Sequence, residues 1–205
     1  MDLQRLKDNL EGRTPGLMDC RRFFAVLVPL VKREEEWYLL YEVRARTMKS
    51  QPGEVCFPGG KMEPGENAEQ CALRETWEEL AVPEDRVQIL GRLDFIAHRA
   101  NFLMQPVLAV VEEQALKDMR LNPAEVDETF LVPLSYLMDH PPQEFEYPLV
   151  PSPGEDFPYE LMGISPKYPW RPGRENVPVY LWEGHPIWGL TARITRHLVK
   201  ILKET

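Results

Sequence analysis

At 205 residues with a formal net charge of −9, the chain is long enough for one domain with a substantial core. Its acidity argues against a general nucleic-acid binder. Cys20, Cys56 and Cys71 show no CxxC spacing and read as reduced thiols of a cytoplasmic protein, not as a disulfide frame or zinc site.

No apolar run approaches the ~20 residues of a membrane span, so no membrane partner is expected. The stretch MDLQRLKDNLEGR lacks a signal-peptide core, and Lys203-Glu204-Thr205 is not a peroxisomal address. Residues 2 to 12 predict a short helix with Leu3, Leu6 and Leu10 along one side, ended by Thr14-Pro15-Gly16. Phe23 to Val31, apolar and β-branched, predicts a buried strand. A charged turn, Lys32 to Glu36, leads into a second strand, Trp37 to Arg44. The following stretch, Arg44 to Gly60, carries Arg44, Arg46 and Lys49 and ends in FPGG. Such a Gly- and Pro-rich loop lets backbone come close to a ligand.

Next, GKMEPGENAEQCALRETWEELAV (Gly60 to Val82) predicts a loop and then a helix. Asn67 with Gln70 three residues on forms a capping-box pattern. Helical periodicity places Leu73, Thr76, Trp77 and Leu80 on a core-facing stripe. It gathers Glu75, Glu78 and Glu79 on the opposite side, within about 100° of arc. Like charges four apart cost a helix about 0.2–0.5 kcal/mol, and Arg74 alone cannot neutralise three carboxylates. A divalent cation can, and oxygen-only donors suit Mg²⁺ or Mn²⁺. A solvated acidic face is the plainer alternative; the glycine loop leading straight into the helix favours the metal.

Val87 to Phe95 and Phe102 to Val111 read as strands around a turn near His98 to Asn101, with His98 expected as a surface turn residue and substrate contact as the less favoured alternative. Asn122 to Leu137 reads as a loop, a strand holding Phe130 and Val132, and a helical turn after Pro133. Glu125 and Glu128 lie in this stretch, either as solvated carboxylates or as an extra base or ligand. Pro141 to Pro178 is dense in proline, which excludes a regular helix or central strand. Its aromatics argue against simple disorder. The expectation is an ordered, irregular insertion serving as a lid or a homodimer contact, with a polyproline-type peptide ligand as the less favoured alternative because the aromatics should pack. The chain then predicts a strand (Val179 to Trp182), a turn, and a helix over about 187–203. Ile187, Leu190, Ile194, Leu198, Ile201 and Leu202 form its apolar stripe, and Arg193, Arg196 and Lys200 are expected to face solvent.

The spacing Gly60, five residues, Glu66, seven residues, Arg74-Glu75-Thr76, one residue, Glu78-Glu79, one residue, Ala81-Val82 closely resembles the signature of the Nudix hydrolases, which cleave nucleoside diphosphates linked to another moiety. Arg44, Ala45, Lys49, Gly53 and FPGG resemble a second motif of the coenzyme A pyrophosphatase branch, as does IWGLTARI near the C-terminus. The resemblance implies an α+β fold: one domain over residues 1–205, an α/β/α sandwich with a mixed sheet and a loop–helix–loop motif. It implies a catalytic set of Arg74, Glu75, Glu78 and Glu79, with Mg²⁺ or Mn²⁺ on the three glutamates and the Gly59 carbonyl. Gly60, Glu66 and Arg74 take structural roles, Glu66 and Arg74 as a pair tying loop to helix. Arg44, Arg46 and Lys49 would meet the phosphates of coenzyme A or an acyl derivative. Three departures stand out: Ala81 where the family usually has Gly, Lys49 for Arg, and Leu40-Tyr41-Glu42 for Leu-Leu-Thr. Hydrolysis of ADP-ribose or a dinucleoside polyphosphate is the first alternative, and a non-catalytic nucleotide sensor the second.

Overall fold

Strand β1 (Arg22–Arg33) is apolar on both sides, and its two-residue alternation feeds two separate cores. Val26, Val28 and Leu30 enter one cluster; Ala25, Leu27 and Val31 enter the other. The structure, a computed structural model, describes residues 2–204.

Around β1 the sheet is mixed. β2 (Glu36–Arg44) runs antiparallel to it, with Leu30 opposite Leu39, and β7 (Phe102–Val111) runs parallel, from Arg22 opposite Phe102 to Val31 opposite Val111. β5 (Val87–Arg92) and β6 (Ile96–His98) pair with β7, while β8 (Val126–Pro133) and β3 (Val55–Cys56) pair with β2. β4 (Gly59–Lys61) lies against the start of β1. Helix α2 (Ala68–Leu80) covers one face through Ala68, Cys71, Ala72 and Leu80. Helix α6 (Gly189–Lys203) covers the other through Ala192, Ile194, Leu198 and Val199. The result is an α+β sandwich of helix, sheet and helix.

Several expectations need correction. The buried side of α2 is Ala68, Cys71, Ala72, Thr76, Glu79 and Leu80, whereas Trp77 is 54% exposed. Small residues let the helix lie close on β1 and β4, and that rotation turns Trp77 outward and Glu79 inward. Helix α1 (Leu3–Leu10), capped by Asp2, forms where expected and buries no residue, so Leu3, Leu6 and Leu10 are exposed. The proline-dense stretch contains a regular ladder: β9 (Gln143–Leu149) pairs with β10 (Gly173–Trp182), from Gln143 opposite Val179 to Leu149 opposite Gly173. β10 also pairs with β11 (His185–Trp188), but only from Val179 onward. Pro178 therefore sits where β10 has a neighbour on one side, and Pro148 lies on the edge strand β9, both places that tolerate a missing N–H. Residues 150–172 between them are irregular apart from a short helix, Tyr159–Met162, beside which Phe157, Tyr159, Tyr168 and Trp170 pack edge-on.

On α6, Arg193 and Arg196 do not simply face solvent. Arg193 reaches Glu175 at 3.2 Å, and Arg196 reaches Glu144 at 2.7 Å and Asn176 at 2.9 Å, fastening the helix to β9 and β10. Lys200 is largely exposed beside Glu204. Ile187 belongs to β11 rather than to the helix, and Ile201 and Leu202 remain partly exposed.

Candidate active site

The loop before α2 is held by one guanidinium. Arg74 Nε donates to Glu66 Oε1 at 2.7 Å, and its Nη2 donates to Glu66 Oε2 at 3.1 Å and to the Lys61 carbonyl at 3.2 Å. Its Nη1 lies 2.9 Å from Glu75 and 3.2 Å from Glu78. Glu66 also accepts the Glu63 N–H at 2.8 Å, and these donors hold its carboxyl down at about 2, well below the usual range. The helix starts on the reciprocal Asn67–Gln70 capping box and ends at Ala81, whose φ of 54° and ψ of 31° are left-handed. That is the conformation glycine adopts without strain.

Behind this network the backbone comes very close to the acids. The Gly59 N–H donates to Glu79 Oε2 at 2.8 Å, and Glu79 is only 4% exposed. A Cβ on Gly59 would meet the Ala25 carbonyl, while one on Gly60 would sit 2.3–2.5 Å from the Glu75 carboxylate atoms. Glu75 and Glu79 thus converge on the glycine loop from the helix, while Glu78 stays half-exposed on the Arg74 side. A further acid, Glu42 on β2, is buried to 1% and lies within electrostatic reach of Glu75 and Glu79, as does Glu125. Burial pushes Glu42, Glu79 and Glu75 above the usual carboxylate range; the charge of Glu42 adds to the rise at Glu79, whereas the Cys56 thiol and Arg44 hold Glu42 back. Among the described residues no three acidic, cysteine or histidine side chains form a preassembled metal cage, because Arg74 draws Glu75 and Glu78 to itself and the Gly59 N–H holds Glu79. The donor set nonetheless fits a hard dication: all oxygen, with more buried negative charge than one arginine neutralises.

Beside the glycine loop opens a cavity of about 560 Å³. Arg44, Cys56, Gly59 and Gly60 line it on the side of the glycine loop, and His98, Arg99, Phe102, Tyr147, Asn176 and Trp188 line it elsewhere; Glu75, Glu78 and Glu79 do not themselves line it. His98, expected as a surface turn residue, stacks on Phe102 with centroids 4.4 Å apart, and its Nδ1 accepts the Ala100 N–H. Burial and the neighbouring Arg99 lower its pKa, which favours the neutral ring. Arg99 donates to the Tyr147 hydroxyl at 2.8 Å and lies over its ring, 5.6 Å from the centroid.

Not every anticipated residue gathers here. Arg46 is exposed beside Asp127 at 3.6 Å, Lys49 is exposed, and neither lines the cavity. Glu128 pairs with His185 Nε2 at 3.0 Å, away from the acid cluster, whereas Glu125 is half-buried within its reach. Glu42 escaped the sequence reading as a site residue. Its signal was the alternation of β2, which sets it on the same side as Leu40 and opposite Leu39, Tyr41 and Val43.

The helix–sheet–helix sandwich thus draws acidic side chains onto a glycine loop next to an arginine-bearing cavity. The chain belongs to the Nudix family, whose domain model matches residues 21–152. It is 34% identical over 203 residues, 98% of this chain and 88% of the relative, to the mitochondrial coenzyme A diphosphatase NUDT8 of Mus musculus. The Homo sapiens protein of that name is 35% identical, covering 97% of this chain and 77% of its own. Nudix hydrolase 3 of Caenorhabditis elegans is 37% identical over 122 residues, 58% of this chain; the match spans about half, 51%, of that relative. Among solved structures, a C. elegans Ap4A hydrolase binary complex is similar with a TM-score of 0.47 and 22% identity, covering 57% of this chain and 83% of that one. Among the described residues no helix is long and apolar enough to cross a membrane.

Proposed function

We propose that this chain hydrolyses the pyrophosphate bond of coenzyme A or its derivatives, giving 3′,5′-ADP and 4′-phosphopantetheine. The observation that carries the reading is the glycine loop shared by cavity and acids: Gly59 and Gly60, which meet Glu79 and Glu75 on one side, line the cavity together with Arg44, His98, Phe102, Arg99 and Tyr147 on the other. Its volume, about 560 Å³, suits a ligand of nucleotide size. Relatives named as coenzyme A diphosphatases, alike over nearly the whole chain, support the substrate class.

In this reading Glu75, Glu78, Glu79 and the Gly59 carbonyl hold Mg²⁺ or Mn²⁺, which when bound neutralises phosphoryl charge and lowers the pKa of a coordinated water. Arg74, anchored by Glu66, positions Glu75 and Glu78. Gly60 leaves room for the Glu75 carboxylate. Arg44 counters phosphate charge inside the cavity, while Arg46 and Lys49, outside it, are left for the outlying 3′-phosphate. Glu125 serves as the additional base near the acid cluster; Glu128, engaged by His185, does not. The unit is one domain with the 141–178 insertion forming a cavity wall through Tyr147, Glu175 and Asn176. Three free cysteines fit a reducing compartment such as the cytoplasm.

The rival is a substrate without the 3′-phosphate, such as ADP-ribose or a dinucleoside polyphosphate, and the exclusion of Arg46 and Lys49 from the cavity favours it. A panel of coenzyme A, its 3′-dephospho analogue and ADP-ribose, with product identification in Mg²⁺ and Mn²⁺, decides. Coenzyme A should be turned over best; equal rates on all three would remove the assignment. Glu79→Gln should lower turnover by orders of magnitude with the fold intact.

A further inference from the structure

We propose that Glu42 is a fourth carboxylate of the cation centre, presented from the sheet instead of from the helix. The inference rests on the hydrolase reading above.

Alternation along β2 sends Leu39, Tyr41 and Val43 towards α6 and leaves Leu40 and Glu42 on the α2 side. Glu42 is 1% exposed. Its Oε1 accepts the Cys56 thiol at 3.1 Å, and its Oε2 is buried with no hydrogen-bond partner. Cys56 and Gly59 belong to one short segment, and the Gly59 N–H holds Glu79 at 2.8 Å. Glu42 and Glu79 are thus attached to the same loop from opposite sides, one from the strand and one from the helix, and each lies in the other's field.

A buried carboxylate with an orphan oxygen is among the costliest arrangements a core can hold. Arg44 lies within electrostatic reach of Glu42, but its guanidinium Nε donates to the Ser50 carbonyl and leaves the Glu42 Oε2 without a hydrogen-bond partner. The sheet position would more cheaply take a hydroxyl or an aliphatic side chain, so its presence is explained by a charge that is itself meant to be there. A dication, or the water in its shell, uses the lone pairs that the protein leaves unsatisfied.

The test measures Mn²⁺ binding by calorimetry or electron paramagnetic resonance, and melting with and without Mn²⁺, for wild type, Glu42→Gln, Glu42→Thr and Glu79→Gln. Without metal, both Glu42 variants should melt at or above the wild-type temperature, since a buried charge is gone. With Mn²⁺ they should lose about tenfold or more in affinity, the scale of losing a partner of a metal site, together with most of the metal-induced rise in melting temperature. Wild-type Mn²⁺ affinity in both Glu42 variants would overturn the proposal, even if Glu79→Gln abolishes binding. Metal-free melting well below wild type in both would also overturn it, making Glu42 a structural acid bonded to Cys56. Absence of Mn²⁺ binding by the wild type would instead defeat the hydrolase reading on which the proposal stands.

Discussion

Gly60→Ala separates the site from the fold. A Cβ at this position would lie 2.3 Å from Glu75 Oε1, 2.4 Å from its Cδ and 2.5 Å from Oε2. Ordinary carbon contacts begin near 3.5 Å, so the carboxylate must retreat by about 1 Å. A shift of that size at reacting groups can cost about 10²-fold in rate, or about 2.7 kcal/mol at 1.36 kcal/mol per tenfold. Stability should hardly change. The backbone of Gly60 lies outside the left-handed region, so alanine is tolerated there and stiffens the unfolded chain by about 0.4–1 kcal/mol. Strain on the 2.9 Å Arg74–Glu75 contact offsets a similar amount. The assay pairs initial rates of coenzyme A hydrolysis with urea unfolding. A kcat/KM within threefold of wild type at unchanged stability would refute the claim that Glu75 must occupy this spot. A large loss of stability would show that backbone, not carboxylate, takes the clash.

Ala81→Gly should raise stability by about 1 kcal/mol, because it relieves a left-handed alanine; in a chain of this size melting should rise about 2–4 °C, with activity unaltered. Glu66 has a folded pKa of about 2 against an ordinary 4.5, so its contribution is complete above about 4.5 and is lost as pH falls towards about 2. Glu66→Gln should therefore flatten the acid limb of stability against pH, read from denaturation midpoints between those values. Arg99→Ala, which removes the guanidinium from over Tyr147, should raise KM several-fold and leave kcat near wild type, since it changes the wall of the cavity and not the glycine loop with its acids; a fall in kcat with constant KM would contradict that placement.

What sequence patterns conveyed here was local and periodic. The Asn67–Gln70 cap and the extent of β7 were readable because each depends on neighbouring residues: a side chain three positions along, or an uninterrupted apolar run. Period 3.6 placed Thr76 and Leu80 correctly on the buried side of α2. It set Trp77 there in place of Glu79, because a closely packed sheet accepts the small side chains Ala68, Cys71 and Ala72 and turns the bulky ring outward. The β9–β10 ladder was hidden because proline is excluded from paired strands on both sides, and only the pairing partners reveal that Pro178 has a neighbour on one side. Arg46 and Lys49 carried the right charge at the right spacing, yet the loop after β2 turns them away from the cavity. Glu42 was hidden for a different reason: alternation assigned its face, but nothing local said that the facing helix would bring a second carboxylate there.

Most of the unfavourable choices in this chain fall together. Other non-glycine residues with positive φ include Asp19, Glu34, Asn101 and Glu183, which lie in turns or bends where that conformation is commonplace. Ala81 instead ends the acid helix, Gly59 is pressed at φ 154° against β1, and Glu42 and Glu79 bury charge on the segment between them. Strain that arose incidentally would be dispersed over the sandwich. Here Gly59, Glu42 and Glu79 meet at one loop, where each fixes a carboxylate relative to the others, while Ala81 stands apart at the C-terminal end of the helix. Relieving the strain piece by piece should therefore separate into two outcomes: relief at Ala81, behind the helix, stabilises without loss of activity, whereas removal of charge at Glu42 stabilises the metal-free protein at the expense of the cation. The contrast between those two variants distinguishes strain left over from folding from strain that the site uses.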